Sequence, residues 1–213
     1  MRRKEFDRSR LEFLPVGSRR SKLELSEVAV DPETPAPDPG AAAAVIDRTA
    51  ERIVEAREKG APVILCHGAH LVRNGLGPLL GRMVEEGWLQ HIATNGAGSI
   101  HDWEFAFLGR TCEDVEEYVS RGQFGMWEET CANIGRALLA GGLAGQGYGE
   151  SIGRMIVDEG IDIPSREELR AIVEAGLDGG ADLAARAAAA ADLIEAMERT
   201  GLESGRSKIP HPH

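Results

Sequence analysis

The sequence predicts an α/β protein: a parallel sheet with helices on both faces, followed by a helix-rich second half. Three observations point there. Two short apolar runs, PVILC (62–66) and WLQHIAT (88–94), flank the helical stretch LGPLLGRMVEEG (76–87). Strand, helix and strand within about 30 residues make a βαβ unit, which pairs its strands in parallel. Beyond it the pattern is almost wholly helical, with capping signals and a long Ala-rich run.

Taken in order, residues 1–40 form a charged and then Pro-rich lead-in. DPETPAPDPG (31–40) carries four prolines in ten residues and reads as an extended linker. Residues 41–213 form the α/β domain. AAAAVIDRTAERIVEAREKG (41–60) spaces Val45, Ile46, Ile53 and Val54 helically, and Gly60 ends it. PVILC has the character of a buried strand, and this places Cys66 in the core. HGAHLVRNG (67–75) is a loop or turn before the crossover helix 76–87, and WLQHIAT follows as the second strand.

In the second half, Thr111 to Asp114 and Ser165 to Glu168 have capping-box spacing, the latter preceded by Pro164. GQGYGESIG (145–153) reads as a packed turn between helices. ADLAARAAAAADLIEAMERTG (181–201) is one long helix closed by Gly201. Two strands are too few for a parallel sheet, which needs several neighbours and both faces covered. KIPHPH also arrives straight after a helix, where an α/β protein heads into a further strand. The sequence therefore predicts the N-terminal portion of a larger α/β domain, with its sheet incomplete.

Composition narrows the function. A net charge of −11 argues against an electrostatic grip on nucleic acid. Three cysteines without CxxC spacing suggest free thiols in a reducing cytoplasm. MRRKEFDRSR is followed by no apolar segment that would make it a secretory signal, and no run is long enough to span a membrane.

Candidate chemistry gathers where the two strands end, in CHGAHLVRNG and TNGAGSIHD. Ligands of open parallel sheets bind beyond the carboxyl ends of the strands, where backbone N–H groups and helix N-termini can hold a phosphate. Small residues there fit two readings: close approach of a ligand, or tight strand-to-helix turns. Neither loop is a GxGxxG. His67, His70, His91 and His101, with Asp102 nearby, raise a metal site, but HExxH and CxxC are absent, so no metal is assigned.

AHLVRNGLGPLLGRMVEEGWLQHIATNGAGSIHDWEFAFLG, with GQFGMWEET and GYGESIG further on, resembles the bacterial and archaeal branch of the deoxyhypusine synthase family over about residues 60–160. The resemblance implies a Rossmann-like, cytoplasmic, homotetrameric NAD-dependent aminobutyl transferase. NAD takes a hydride from spermidine, and the aminobutyl group passes through an enzyme lysine to an acceptor amine on a protein or a small polyamine. It further implies NAD contacts at Ala69, His70, Leu71, Val72 and Arg73 in the first loop, and at Asn95, Gly96 and Ala97 in the second. Polyamine contacts fall at His101, Asp102 and Glu104. The family's glutamate pair is replaced here by Ile100 and His101, while Asp102 is retained. Its catalytic lysine, beside a Trp-Gly pair, has no counterpart among Lys4, Lys22, Lys59 and Lys208. No catalytic residue is therefore assigned in this chain. The alternative from another class is an NAD-binding or regulatory module without aminobutyl transfer.

Overall fold

The computed structural model describes residues 10–176 and 180–209. The chain is mixed α/β and mostly helical. Its strands form three two-stranded sheets among the described residues, and no larger sheet is present there. Two compact units divide it. One takes in the described residues up to Lys22, Ala106–Leu108 and Glu113 onward; the other comprises Leu23–Phe105 and Gly109–Cys112. No described helix is long and apolar enough to cross a membrane.

The second of these units holds the βαβ element. Helix α1 spans Leu25–Val28, and residues 29–39, most of the Pro-rich stretch, contain neither helix nor strand. Helix α2 spans Ala43–Glu58 and stops where Gly60 turns the backbone left-handed at φ 65°. Strand β2 (Ile64–Cys66) pairs in parallel with β3 (His91–Ala93), in the register Ile64↔His91, Leu65↔Ile92 and Cys66↔Ala93. Between them lie α3 (His70–Arg73), a short helix within the expected loop, and the crossover helix α4 (Gly77–Glu85). Pro78 sits in the first turn of α4, where its missing N–H costs nothing. The Val30 N–H donates to Gly75 O at 2.9 Å. That contact fixes Gly75: a Cβ there would lie 1.9 Å from Val28 O, and its φ is +83°.

The strands are shorter than their apolar runs, and they are not buried. Ile64 is 58% exposed and Ile92 37%, and Cys66 is exposed instead of lying in the core. The reason is the small sheet: with one strand neighbour each among the described residues, these strands keep apolar surface in solvent. Helix α2 likewise buries no residue and leaves Val45, Ile46 and Val54 exposed. Helix α5 (Gly96–Leu108) supplies the packed side chains Trp103 and Phe105 and closes at Gly109, left-handed at φ 66°.

Strand β4 (Arg110–Glu113) pairs with β1 (Ser21–Glu24). The expected capping box at Thr111 is not formed, because Thr111 is drawn into β4. Asp114 instead caps α6 (Val115–Ser120), its carboxylate accepting from the Glu117 N–H at 3.0 Å.

In the other unit, Val16, Tyr118 and Trp127 form a small core with Phe107 and Leu108 against it. The Tyr118 and Trp127 rings meet edge to face at 5.0 Å, and Trp127 Nε1 donates to Glu113 Oε2 at 2.9 Å. Helix α7 (Glu128–Leu143) then packs against α8 (Tyr148–Val157) so tightly that a Cβ on Gly141 would lie 1.9 Å from Ser151 Oγ. GQGYGESIG is thus a turn only over 145–147, since 148–153 form the first part of α8, where the small Gly149 and Gly153 are carried in the helix.

Strand β5 (Gly160–Ile163) pairs antiparallel with β6 (Gly205–Lys208). Ser165 and Glu168 form the expected reciprocal cap on α9 (Arg166–Gly176), at 2.8 and 3.2 Å. Leu169 of α9 and Ala190, Leu193 and Met197 of α10 (Ala181–Thr200) are buried, and Gly201 ends α10 at φ 68°.

Candidate functional site at the paired strand ends

The parallel register of β2 and β3 brings the segments after Cys66 and Ala93 out of the same edge of the sheet. The ladder continues one residue further, with the His67 N–H donating to Ala93 O at 3.0 Å. His67 Nδ1 lies 2.8 Å from Gly68 O and 3.5 Å from Thr94 Oγ1, so the two loops begin side by side.

The second loop enters α5 through Asn95, whose side chain accepts from the Gly98 N–H at 3.0 Å. Asn95 is thus a helix cap, and its amide oxygen is committed. The backbone N–H groups of Gly96 and Ala97, in the exposed first turn, have no acceptor among the described residues. Such a turn carries partial positive charge and suits an anion. Gly98 differs from them: it is buried, and a Cβ there would meet Thr94 Oγ1 at 2.4 Å. Its smallness is accounted for by the chain itself. Gly68 has room, the nearest atom to a Cβ there being Asn95 Nδ2 at 4.0 Å.

In the first loop, Ala69 precedes α3, and His70, Leu71, Val72 and Arg73 make it up. Val72 is buried and serves packing, whereas His70 is exposed. Arg73 Nε is shielded from solvent without a hydrogen-bond acceptor among the described residues. A buried donor of this kind is costly unless something accepts from it. A phosphate oxygen brought to that atom would do so.

The three polar residues of α5 do not share one role. Asp102 is exposed by area, yet the protein around its carboxyl displaces enough water to push its pKa above the usual aspartate range. It lies near the start of α4, its Oδ1 being 4.0 Å from where a Gly77 Cβ would stand. Glu104 points inward and is only 2% exposed. Its Oε2 accepts from Thr111 Oγ1 at 2.5 Å, and Thr111 is fully buried. His101, partly exposed, places Nδ1 2.7 Å from the same hydroxyl. The sequence points to His101 and Glu104 by type. It gives no sign of Thr111, which joins them only because the chain reverses at Gly109.

Among the described residues, no group of three or more His, Cys, Asp or Glu side chains is placed to hold a metal ion. Lys22 pairs with Asp114 at 2.9 Å, Lys59 pairs with Glu55 at 3.7 Å, and Lys208 lies in β6; Lys4 is outside the described residues. No known protein family, curated protein or solved structure matches the chain.

Proposed function

We propose that this chain carries the dinucleotide-binding part of a deoxyhypusine synthase-like, NAD-dependent aminobutyl transferase of Rossmann-like descent, cytoplasmic and homotetrameric. Spermidine is the donor, and a protein lysine or a small polyamine is the acceptor. The observation that carries the reading is the parallel pairing of β2 and β3, which sends both strand-end loops from one sheet edge. The exposed Gly96 and Ala97 amides and the shielded Arg73 donor are suited to a diphosphate. NAD, when bound, supplies the hydride acceptor. The chain's own part is to hold the diphosphate at these donors and to present Asp102 and His101 to the amine.

A second reading, an NAD-binding or regulatory module without transfer chemistry, is favoured by the placement of the lysines. None of those described lies in either loop.

Calorimetric titration with NAD tests both readings. The wild-type chain binds NAD saturably. Asn95→Asp keeps the helix cap but sets a carboxylate beside the diphosphate, and weakens binding about tenfold or more, equivalent to at least ~1.4 kcal/mol. Absence of NAD binding by the wild-type chain would remove the transferase and the module together. NAD binding that spermidine leaves unchanged would leave the module.

A further inference from the structure

A cavity of about 440 Å³ lies between the end of α5, α7 and β6, and its lining belongs to a single compact unit. One wall is apolar and fixed in place: Ile209 is buried, and Phe107 and Leu108 pack against the core of Val16, Tyr118 and Trp127. The other side is polar, with Asn133 and Arg136 one turn apart on α7 and Lys208 on β6. The volume falls in the range of roughly 300–1,000 Å³ that small-molecule sites occupy, and so does the pattern of an apolar lining with a few polar groups.

Asn133 and Arg136 define what this cavity can hold. Asn133 is only 8% exposed, and its Oδ1 accepts a long contact from Arg136 Nη1 at 3.5 Å. A guanidinium only donates, so the amide oxygen is turned to Arg136 and the NH2 group is the end left over. That NH2 has no acceptor among the described residues, and neither Arg136 nor Lys208 has a carboxylate partner there. A buried donor without an acceptor is costly, and in a chain of net charge −11 carboxylates to pair with these cations are plentiful. We propose that the cavity binds a small monocarboxylate with an apolar body, its carboxylate held by Arg136 and the Asn133 NH2 and its body lying on Phe107, Leu108 and Ile209. The planar guanidinium suits two parallel N–H···O bonds to a carboxylate, whose oxygens retain lone pairs for the amide. Lys208 adds a second positive charge. An anion without an apolar body would leave the opposite wall in water and gain nothing from covering it. None of these residues lies in either strand-end loop, so the site does not rest on the NAD reading.

Calorimetric titration of the full chain with hydrocinnamate and with octanoate tests the site, and proton–carbon NMR of the methyl groups locates it. At least one of the two acids binds saturably and shifts the Leu108 and Ile209 methyl signals. The corresponding amides, equal in body but uncharged, bind about tenfold or more weakly, as does inorganic phosphate, which has charge without an apolar body. Arg136→Gln weakens binding about tenfold or more, and Arg136→Lys, which keeps the charge but not the fork, recovers part of it. Asn133→Asp keeps the shape, replaces the uncommitted NH2 with a carboxylate oxygen, and brings a similar loss. The analogue series is read on the wild-type chain, so it stands if a variant does not fold. No saturable binding of either acid, amides or phosphate binding as tightly as the acids, unmoved Leu108 and Ile209 signals, or an unchanged affinity in Arg136→Gln would each overturn the proposal.

Discussion

Gly98 allows the two meanings of a small residue beside a strand end to be separated by measurement. A Cβ built on it lies 2.4 Å from Thr94 Oγ1, 3.4 Å from Cγ2 and 3.5 Å from Cβ of the same threonine. The oxygen must retreat by about 1 Å to reach ordinary contact, and turning χ1 exchanges one branch of the β-branched side chain for another. Overpacking of this kind costs about 1–3 kcal/mol. Against it stands a gain of up to about 1 kcal/mol from replacing glycine by alanine within a helix. Gly98→Ala alone should therefore lose up to about 2 kcal/mol of stability, whereas in a Thr94→Ala background it should be neutral or stabilising. The coupling between the two positions is then about 1–3 kcal/mol, well above the few tenths expected of independent sites. Urea unfolding of the wild type, both single variants and the double variant at constant m-value supplies the four free energies. Equal effects of Gly98→Ala in both backgrounds, with NAD affinity lost instead of stability, would refute the reasoning and make Gly98 a ligand-contact glycine.

Gly75→Ala forces an alanine into a left-handed conformation and onto Val28 O; we expect a loss of about 3 kcal/mol or more, read as a lower urea midpoint. Gly141→Ala drives a methyl into Ser151 and should cost about 1–3 kcal/mol, with Ser151→Gly restoring most of it. Asp102 has a raised folded-state pKa, so the folded chain binds more protons than the unfolded one between the two values. Its contribution is therefore fully present below the ordinary aspartate pKa and is lost as pH rises through the raised one. Asp102→Asn should flatten that part of the stability profile, and an unchanged profile in calorimetric melting would contradict the assignment. The chain supplied with NAD and spermidine alone should produce no NADH above a mock preparation, since no described lysine lies in the loops; measurable NADH would count against the reading that this chain carries only the dinucleotide-binding part.

Local signals carried much of the fold into the sequence, and long-range ones did not. PVILC and WLQHIAT mark β2 and β3 because branched apolar residues recur there, although pairing retains only 64–66 and 91–93. Helix α10 is legible to its last turn because Gly201 is the left-handed stop that its position suggests. Strands β4, β5 and β6 are not legible: RTCE and GRSK lack apolar alternation, and GIDI is too short to tell from a turn. Depth of burial is not legible either, since an apolar run fixes a tendency to be covered but not the presence of a cover, as Ile64 and Cys66 show. At the site, the loops and the polar residues of α5 stand out by type and spacing. The division of labour among those residues depends on Thr111, seven residues beyond Glu104 and across a chain reversal, which no local pattern announces.

Amide hydrogen exchange of this chain with and without NAD tests the central claim most directly, because it reports on both strand-end loops at once without requiring turnover. The account predicts that saturating NAD slows exchange at residues 68–76 and 96–99 together, with little change in α9 and α10. Unchanged exchange in both loops, or protection confined to another part of the chain, would contradict it.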